Sequence, residues 1–486
     1  MRSWNPDLGD RTHFLLLALF SFLILFVPLH RGDLSGSDDA LYAHEAKEMI
    51  RTGDWWNVRY DGALWFRTPP LFLWLEALSL SVFGFSDFAA KVPAAVLGFS
   101  TIVLVYFLAR DLTKDLWVSR LAVVVLLSTQ FFMRYATHAM TDVPFTFFVT
   151  LAIFLYVKSQ NEPGYLVLAG LPIACAFLTR SVLGIIPVAI VLAHLAVTRR
   201  YAVLFSRWFA GFLALAFSFP ALWAGIEYRL HGMEFVRSHA TFVLGQAHGG
   251  RPWSLWNELA QLLEYPKLLA QRYWPWLPVM MVGFYKQTRA AIFRRDPNAT
   301  LLVLWVLGVI VPFSFAEIKY LRYILAAFPA FAILSAIVLN DWLPSRRKTQ
   351  SFAVLYALGA VFVAFAALVP MTLLRATDMR QLAPIADAHT SPQERLVVYT
   401  FGQEDWGIQN QLLWYGNRYA DLVTDLTDVQ SRLESGRNTL VVIDKEAGDR
   451  LRASMAEGKG GQIAVLAQSD SFYCLKYSAP GAPAGG

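Results

Sequence analysis

Two adjacent carboxylates, followed by a tyrosine and a third carboxylate, form the segment of this sequence that is best suited to chemistry. Helical periodicity predicts a helix here, with Ser37 as its N-cap. In that helix Asp38, Tyr42 and Glu45 are spaced i, i+4 and i+7 and therefore share one face. Acidic residues in a first turn also complement the helix dipole without any further role, and on these residues alone that interpretation is favoured.

The location of Asp38 and Asp39 favours a functional interpretation. An aromatic turn, Gly53-Asp54-Trp55-Trp56, and a proline-rich segment, Trp65-Phe66-Arg67-Thr68-Pro69-Pro70-Leu71, follow the two carboxylates and should hold them against the membrane. The proline pair should also start another helix. A carboxylate kept in such a place costs free energy unless it has a use.

Further ionisable residues gather in three very short loops on the same predicted side of the membrane. Two interpretations remain: single cations at helix ends that reach the interface, or cations and carboxylates that converge on one outward-facing cavity. The number of such groups in such short loops favours convergence. They are Arg134, His138 and Asp142 before the fourth apolar run, Arg180 between the fifth and sixth, and Glu317, Lys319, Arg322 and Tyr323 before the tenth.

The composition places these elements in a membrane. The chain has 486 residues, of which 56% are hydrophobic and 16% charged, and its mean hydropathy is +0.43, outside the usual range of soluble proteins. The net charge of +6 needs no nucleic-acid partner, because Lys and Arg in membrane proteins mainly set topology. Cys175 and Cys474 form neither a disulfide framework nor a metal-ligand pattern.

About eleven apolar runs are long enough to cross the bilayer, and the first is too hydrophobic to be a removed signal peptide. Clusters of Lys and Arg in alternate short loops place the N-terminus in the cytoplasm. With an odd number of spans, residues 374–486 emerge on the opposite face. The runs lie near 14–29, 88–109, 119–133, 143–157, 164–179, 183–198, 208–226, 273–285, 299–316, 323–340 and 352–373.

In the C-terminal residues the long apolar runs give way to short strand and helix patterns. These patterns predict a small α/β domain outside the membrane. Strands are expected at Leu396–Thr400, Thr439–Ile443 and Ile463–Leu466, and helices at 404–415, 426–435 and 445–456. The fold class is thus a multi-span all-α membrane protein with a small C-terminal α/β domain. We divide it into a transmembrane domain, 1–375, with outer loops 30–87 and 227–272, a soluble domain, 376–478, and a disordered tail, 479–486.

The first outer loop resembles that of polyprenyl-phosphate-sugar transferases with the C-type glycosyltransferase (GT-C) fold. The relatives concerned are the protein O-mannosyltransferases of glycosyltransferase family 39 and the lipid A aminoarabinose transferases. Three motifs carry the resemblance as far as about residue 340: Asp38-Asp39-Ala-Leu-Tyr42-Ala with Phe66-Arg67-Thr68-Pro69-Pro70, Met140-Thr141-Asp142, and Lys319-Tyr-Leu-Arg322-Tyr323-Ile-Leu-Ala-Ala-Phe-Pro329.

The chain also departs from the family pattern. Asp39 stands where the family usually has Glu, which keeps the charge. Arg67-Thr68 replaces Glu-Lys before the proline pair, so a carboxylate is reversed in sign and a phosphate-facing lysine is lost. Our hypothesis is that Arg67 takes over the phosphate contact.

The resemblance implies an inverting transfer of a sugar from a polyprenyl phosphate to an acceptor hydroxyl or a lipid A phosphate. Asp38 would be the general base or would orient the acceptor, with Asp39 and Asp142 as the other catalytic carboxylates. Since the leaving group is a phosphate, cations must stabilise its charge. The groups assigned to donor phosphate or sugar are Tyr42, Arg67, Arg134, Arg180, Lys319, Arg322 and Tyr323.

No cofactor is required for this reaction, although Glu45 and His138, with Asp142, are candidate ligands for a divalent metal. Structural or acceptor-orienting roles come before metal binding for these residues. The expected partners are the polyprenyl-phosphate-sugar donor, membrane lipid, and an acceptor that is lipid A, a protein or a glycan. Short loops favour a bacterial inner membrane, with the C-terminal domain in the periplasm.

Two other functions compete with this one. A transporter or flippase of lipid-linked sugars should place ionisable residues near the bilayer midplane and show two related halves. Here the ionisable residues lie at outer helix ends, and no internal repeat is evident. A scaffold whose C-terminal domain does the binding would not need eleven spans as an anchor.

Overall fold

The computed structural model of the chain is mostly helical in its described part. That part comprises residues 8–34, 38–248, 263–316, 318–344, 377–391, 394–400, 406–436, 438–457 and 461–479, with isolated residues between 347 and 364. Ser37, Glu317, the predicted span 352–373 apart from isolated residues, and the predicted tail after residue 479 lie outside the described residues.

Nineteen helices occur in the described ranges, together with short 3-10 turns. Their bounds are α1 Leu8–Phe26, α2 Asp38–Thr52, α3 Leu71–Phe83, α4 Asp87–Thr113, α5 Leu116–Ser128, α6 Gln130–Ala136, α7 Asp142–Ser159, α8 Gly164–Arg180, α9 Ile185–Val197, α10 Arg207–His231, α11 Met233–His248, α12 Glu264–Arg272, α13 Trp276–Phe293, α14 Pro297–Ser314, α15 Phe328–Trp342, α16 Asp378–Ala388, α17 Trp406–Tyr415, α18 Leu426–Glu434 and α19 Lys445–Glu457.

Seven helical runs in the described ranges are long and apolar enough to cross a membrane, or eight if a bent pair counts as one span. The multi-span helical class predicted from the sequence is therefore confirmed, while the count of eleven stays a prediction. The seven runs are Asp10–His30, Asp87–Thr113, Asp142–Ser159, Gly164–Val197, Arg207–His231, Pro297–Ser314 and Leu321–Trp342.

The span predicted at 119–133 is not one straight helix. Instead α5 and α6 meet at Thr129 with a bend of 73°. Thr129 has an extended backbone, with φ −79° and ψ 96°, and therefore interrupts the helical ladder between the two helices. The sequence pattern did not show this break, because the apolar run continues across it.

The run 164–197 contains two α-helices, as the sequence predicted, separated by a 3-10 turn at Ser181–Gly184. A Cβ added to Gly184 would lie 2.5 Å from the Phe177 ring, whereas seven residues of straight helix advance by about 10 Å. The chain therefore folds back at this turn. Arg180 is the last residue of α8 before it.

The helices split, by their internal contacts, into two compact units. Unit 1 comprises 1–30, 66–75 and 91–369, and unit 2 comprises 31–65, 76–90 and 370–486. In unit 1 small residues allow close helix packing, as at membrane interfaces generally. A Cβ on Gly170 would lie 2.5 Å from the Phe212 carbonyl oxygen, and one on Gly283 would lie 2.3 Å from that of Leu334.

Unit 2 contains a five-stranded sheet in the order β4-β3-β5-β7-β6, in which β3 pairs in parallel with β4 and β5, and β7 runs antiparallel to β5 and β6. The sequence predicted β3, β5 and β6 and missed β4 and β7. A two-stranded ribbon, β1-β2, completes the strands of the described residues. The bounds are β1 Arg59–Tyr60, β2 Ala63–Leu64, β3 Leu396–Tyr399, β4 Ala420–Val423, β5 Leu440–Asp444, β6 Gln462–Gln468 and β7 Phe472–Ser478.

The outer-loop helix α2 belongs to the same unit as the C-terminal sheet. Lys47 is buried and donates from Nζ to the carbonyl oxygens of Trp414 and Gly416, at 2.8 and 2.6 Å, at the end of α17. The last carbonyls of a helix have no partner within it, so a lysine there acts as a C-terminal cap. The helix with the two carboxylates is thus fixed by residues about 370 positions later in the chain.

Candidate active site

The buried carboxylate at the start of α7 pairs with the cation at the end of α8. Asp142 is 1% exposed, and its Oδ1 accepts a hydrogen bond from Nη1 of Arg180. Within the described part of the chain, its Oδ2 is buried and has no hydrogen-bond partner. Asp142 therefore orients Arg180 and keeps one oxygen available for a further donor.

A second arginine and two tyrosines surround this pair. The Arg180 guanidinium lies over the Tyr323 ring, 5.2 Å from its centroid. Arg322 lies 5.7 Å from the same centroid and 4.8 Å from the centroid of the Tyr320 ring. Cations on aromatic faces are held in place without losing their charge. The structure thus joins Asp142, Arg180, Arg322 and Tyr323, which the sequence placed in three separate loops, into one cationic cluster.

Two other predicted residues of unit 1 contact backbone carbonyl oxygens close by in the sequence. Lys319 donates from Nζ to the Ala316 carbonyl oxygen at 2.6 Å. His138 contacts the backbone carbonyl oxygen of Arg134 through Nδ1, at 2.7 Å. The Arg134 side chain is exposed.

Arg67 lines a cavity of about 750 Å³ in unit 1, a size typical of ligand sites. Its guanidinium lies 5.7 Å from the centroid of Phe242 on α11. Arg237 and Glu234, also on α11, line the same cavity, so two cations face one carboxylate there. An excess of positive charge favours an anion, and this supports the hypothesis that Arg67 binds phosphate.

Helix α2 begins at Asp38, as predicted, and its carboxylates are buried to different extents. Asp38 and Tyr42 are half-buried, whereas Asp39 is 1% exposed and Glu45 is fully buried. Oδ1 of Asp39 accepts from the backbone N–H of Ala40 at 2.9 Å. Of the two adjacent carboxylates, Asp38 is therefore the one that a substrate can reach.

Sequence reasoning missed Glu76, which lies on α3, a helix too short to count among the candidate spans. Glu76 is fully buried, and neither of its carboxylate oxygens has a hydrogen-bond partner among the described residues. Burial, together with the charges of Glu45 and Asp39, raises the pKa of Glu76 well above its usual value. The raised pKa reflects the free-energy cost of a further negative charge buried beside these two carboxylates. No signal in the sequence revealed this residue, since a single Glu in an apolar run has no diagnostic spacing.

The part of the chain that the structure describes contains no metal centre. In the described ranges no group of three or more His, Cys, Asp or Glu side chains could hold a metal ion. The candidate ligands Glu45 and His138 belong to different units. We therefore derive no step through a metal.

Comparisons with known proteins show what this chain is similar to. Residues 67–223 match the family model described as dolichyl-phosphate-mannose-protein mannosyltransferase. A protein of Serratia proteamaculans named undecaprenyl phosphate-alpha-4-amino-4-deoxy-L-arabinose arabinosyl transferase is 26% identical over 72% of this chain and 62% of its own length. A transferase of the same name from Yersinia pestis is 27% identical over 67% of this chain and 59% of its own length. The chain thus spans about three fifths of these two relatives.

Solved structures match over nearly the whole chain. The crystal structure of ArnT from Cupriavidus metallidurans bound to undecaprenyl phosphate superposes with a TM-score of 0.76 at 18% identity, covering 97% of this chain and 98% of that one. This chain has the C-type glycosyltransferase fold. The oligosaccharyltransferase AglB from Archaeoglobus fulgidus shares the fold, with a TM-score of 0.56 at 14% identity, over 99% of this chain and 75% of its own.

The comparisons confirm the resemblance to C-type glycosyltransferases that the sequence motifs predicted, and with it the fold that the resemblance implied. The C-type fold also accounts for the many spans that a scaffold would not need. The roles of individual residues stay predictions.

Proposed function

We propose that this C-type glycosyltransferase transfers a sugar from a polyprenyl phosphate to an acceptor hydroxyl or to a phosphate of lipid A, with inversion at the anomeric carbon. The observation that carries the proposal is the cationic cluster of Asp142, Arg180, Arg322 and Tyr323 at the adjoining ends of helices that cross the membrane. The names of the Serratia and Yersinia relatives support undecaprenyl phosphate as the carrier.

The leaving group determines what the cations do. A polyprenyl phosphate leaves as an anion, so the reaction needs positive charge at the departing oxygen more than it needs a strong acid. Arg180 is oriented by Asp142, and Arg322 lies against the rings of Tyr320 and Tyr323, so both guanidinium groups are ready to receive that charge. Lys319 and Arg134 supply further positive charge in this proposal.

The acceptor side requires a base. Asp38 removes the proton of an acceptor hydroxyl, or orients a phosphate acceptor, while the acceptor attacks the anomeric carbon. Tyr42, one turn further along α2, donates a hydrogen bond to sugar or phosphate. Asp39 and Glu76, whose pKa is raised by burial, set the electrostatic surroundings of the base.

We place the protein in a bacterial inner membrane, with the N-terminus in the cytoplasm and residues 376–478 as a periplasmic domain. The distribution of Lys and Arg in short loops supports this orientation. In it, the outer loops 30–87 and 227–272 and the carboxylates of α2 face the periplasm, where a lipid-linked sugar presents its head group.

The direct test is a lipid and glycoconjugate comparison by mass spectrometry of cells with and without the gene. One sugar-bearing lipid, glycan or protein should be lost on deletion and restored by the wild-type gene, but not by Asp38→Asn. Purified protein in nanodiscs, given undecaprenyl-phosphate-linked aminoarabinose as a first donor, should release undecaprenyl phosphate. Unchanged glycoconjugates in the deletion strain would contradict the proposal.

A flippase would give a different result in the same experiment. It moves the lipid-linked sugar across the membrane and leaves the bond between sugar and phosphate intact. Recovery of the intact donor on the opposite leaflet, without any new glycoconjugate, would therefore favour transport.

A further inference from the structure

A single imidazole in unit 1 connects the backbones next to two of the proposed phosphate-binding arginines. His239 on α11 contacts the carbonyl oxygen of Phe66 through Nδ1, at 2.8 Å, and the hydroxyl of Ser181 through Nε2, at 2.7 Å. Phe66 directly precedes Arg67, and Ser181 directly follows Arg180. The two contacts span 173 and 58 positions of sequence, so no local pattern could have shown them.

The contact with the Phe66 carbonyl oxygen fixes a proton on one nitrogen of this imidazole. A carbonyl oxygen can only accept, so Nδ1 of His239 carries a proton. In the neutral ring Nε2 then accepts from the Ser181 hydroxyl. The ring is also held between aromatic neighbours, with Phe235 stacked at 5.6 Å and Trp223 edge-on at 5.8 Å. His239 therefore has one orientation, and both of its partners depend on it.

Ser181 needs such a partner because its backbone is strained. It has φ 51° and ψ −135°, a conformation that glycine adopts readily and that an L-residue with a side chain rarely adopts. The strained residue directly follows Arg180, at the turn where the chain folds back after α8, so a change in its conformation would disturb the end of the helix that carries Arg180. Strain of this kind persists only where surrounding contacts enforce it.

We infer that His239 is a positioning residue that fixes Arg180, through Ser181, and Arg67, through Phe66, for one polyprenyl phosphate. This inference rests on the proposed function. His239 touches neither the substrate nor the reacting atoms, and it acts through the two arginines. The same helix also carries Phe242, on whose ring Arg67 lies.

Two conservative substitutions separate the contact of His239 with Phe66 from its contact with Ser181. In His239→Asn the side-chain amide nitrogen takes the place of Nδ1, so the contact with Phe66 is kept and that with Ser181 is lost. In His239→Gln the amide reaches the place of Nε2, so the contact with Ser181 is kept and that with Phe66 is lost. The readout is the affinity of the full-length protein in nanodiscs for undecaprenyl phosphate, which requires no knowledge of the sugar. His389→Asn is the matched control, because the ring of His389 contacts the backbone of its own helix, at Ile385.

Double-mutant cycles distinguish positioning from a general loss of structure. Each single substitution at His239 should weaken binding by about five- to tenfold, while His389→Asn leaves it unchanged. In the Arg180→Ala background His239→Asn should cost less than about twofold, and in the Arg67→Ala background His239→Gln should cost equally little. Additive losses in these backgrounds, or wild-type affinity in both variants of His239, would overturn the inference and leave the proposed function standing.

A second pair of variants tests the strained turn. Ser181→Ala removes the hydroxyl and keeps the strain, whereas Ser181→Gly removes the hydroxyl and the strain together. Binding should therefore fall by about five- to tenfold in Ser181→Ala and recover at least partly in Ser181→Gly. Equal losses in the two variants, or no loss in Ser181→Ala, would contradict a role in holding the turn. If wild-type protein does not bind undecaprenyl phosphate, the proposed function fails and this inference fails with it.

Discussion

Arg180 donates through Nη1 to Oδ1 of Asp142, across 38 positions of sequence. The pair forms because α7 and α8 are packed neighbours and the start of one lies beside the end of the other. Asp142 is almost completely buried, and the Arg180 side chain is 15% exposed. The buried charge of Asp142 is thus compensated by Arg180, while an edge of the Arg180 guanidinium stays exposed to a ligand.

Stability and transfer should respond differently to changes in this pair. Arg180→Ala leaves a buried carboxylate without its cation and should destabilise the protein by about 3 kcal/mol. The double variant Asp142→Asn/Arg180→Gln removes both charges and should recover most of that stability, because a neutral amide pair has no uncompensated charge. Both variants should lose sugar transfer by about 100-fold or more. Thermal midpoints in detergent and transfer assays measure the two effects, and recovered transfer in the double variant would contradict the role of Arg180.

Asp38→Asn should abolish transfer and leave the fold intact. The substitution keeps the size of a half-buried side chain and removes only its ability to take a proton, so about a 100-fold loss of turnover is expected at an unchanged thermal midpoint. Asp449→Asn is the control, since Asp449 is a surface carboxylate paired with Arg452. Near-normal turnover of Asp38→Asn in reconstituted membranes would refute its assignment as base or acceptor-orienting group.

Arg67→Ala should weaken binding of undecaprenyl phosphate by about tenfold or more, because one of two cations in the cavity is lost. Arg67→Lys should restore part of the affinity, since it keeps the charge but not the planar fork of donors. Arg452→Ala, on the surface of α19, is the control. Unchanged affinity of Arg67→Ala would show that this arginine has not replaced the missing family lysine.

Lys47→Met should loosen the C-terminal residues of unit 2. Burial lowers the pKa of Lys47 to about 8, yet its Nζ remains the donor to the carbonyl oxygens at the end of α17. Removing that donor should cost about 2–3 kcal/mol. Limited proteolysis on heating should therefore cut residues 377–479 at a lower temperature. Lys267→Met should change little, because Lys267 belongs to an exposed ion pair; equal sensitivity of the two variants would contradict the cap.

The stability of unit 2 should fall in acid through His44. Burial, with the nearby charge of Lys47, lowers the pKa of His44 from 6.5 to about 3. Below pH 6.5 the unfolded chain binds a proton that the folded chain does not, so stability decreases as the pH falls from 6.5 towards 3. The loss is about 2–3 kcal/mol at pH 4.5. In His44→Phe this loss of stability in acid should be absent. The free energy of unfolding, measured from pH 7 to 4.5, checks this. An equal loss in the wild-type protein and the variant would contradict it.

The sequence by itself determined the fold class of this protein and named the candidate residues of its site. The hydrophobic runs, the alternating basic loops and the helix that starts at Asp38 follow from local physical chemistry, since apolar length and helix periodicity do not depend on distant residues. The motifs around Asp142 and Arg322 gave the relevant residue types and the C-type fold. The break at Thr129 was invisible because both sides of it are equally apolar.

Tertiary structure alone decided which of these residues meet. Asp142, Arg180 and Tyr323 form one cluster because their helices pack side by side, and His239 reaches Ser181 and Phe66 because α11 packs against both segments. Such contacts join positions tens to hundreds of residues apart, where no periodicity constrains the side chains. The burial of Glu76 and the capping of α17 by a lysine of α2 have the same origin. The sequence determines which groups are available, and packing determines which of them lie close enough to share a charge or a proton.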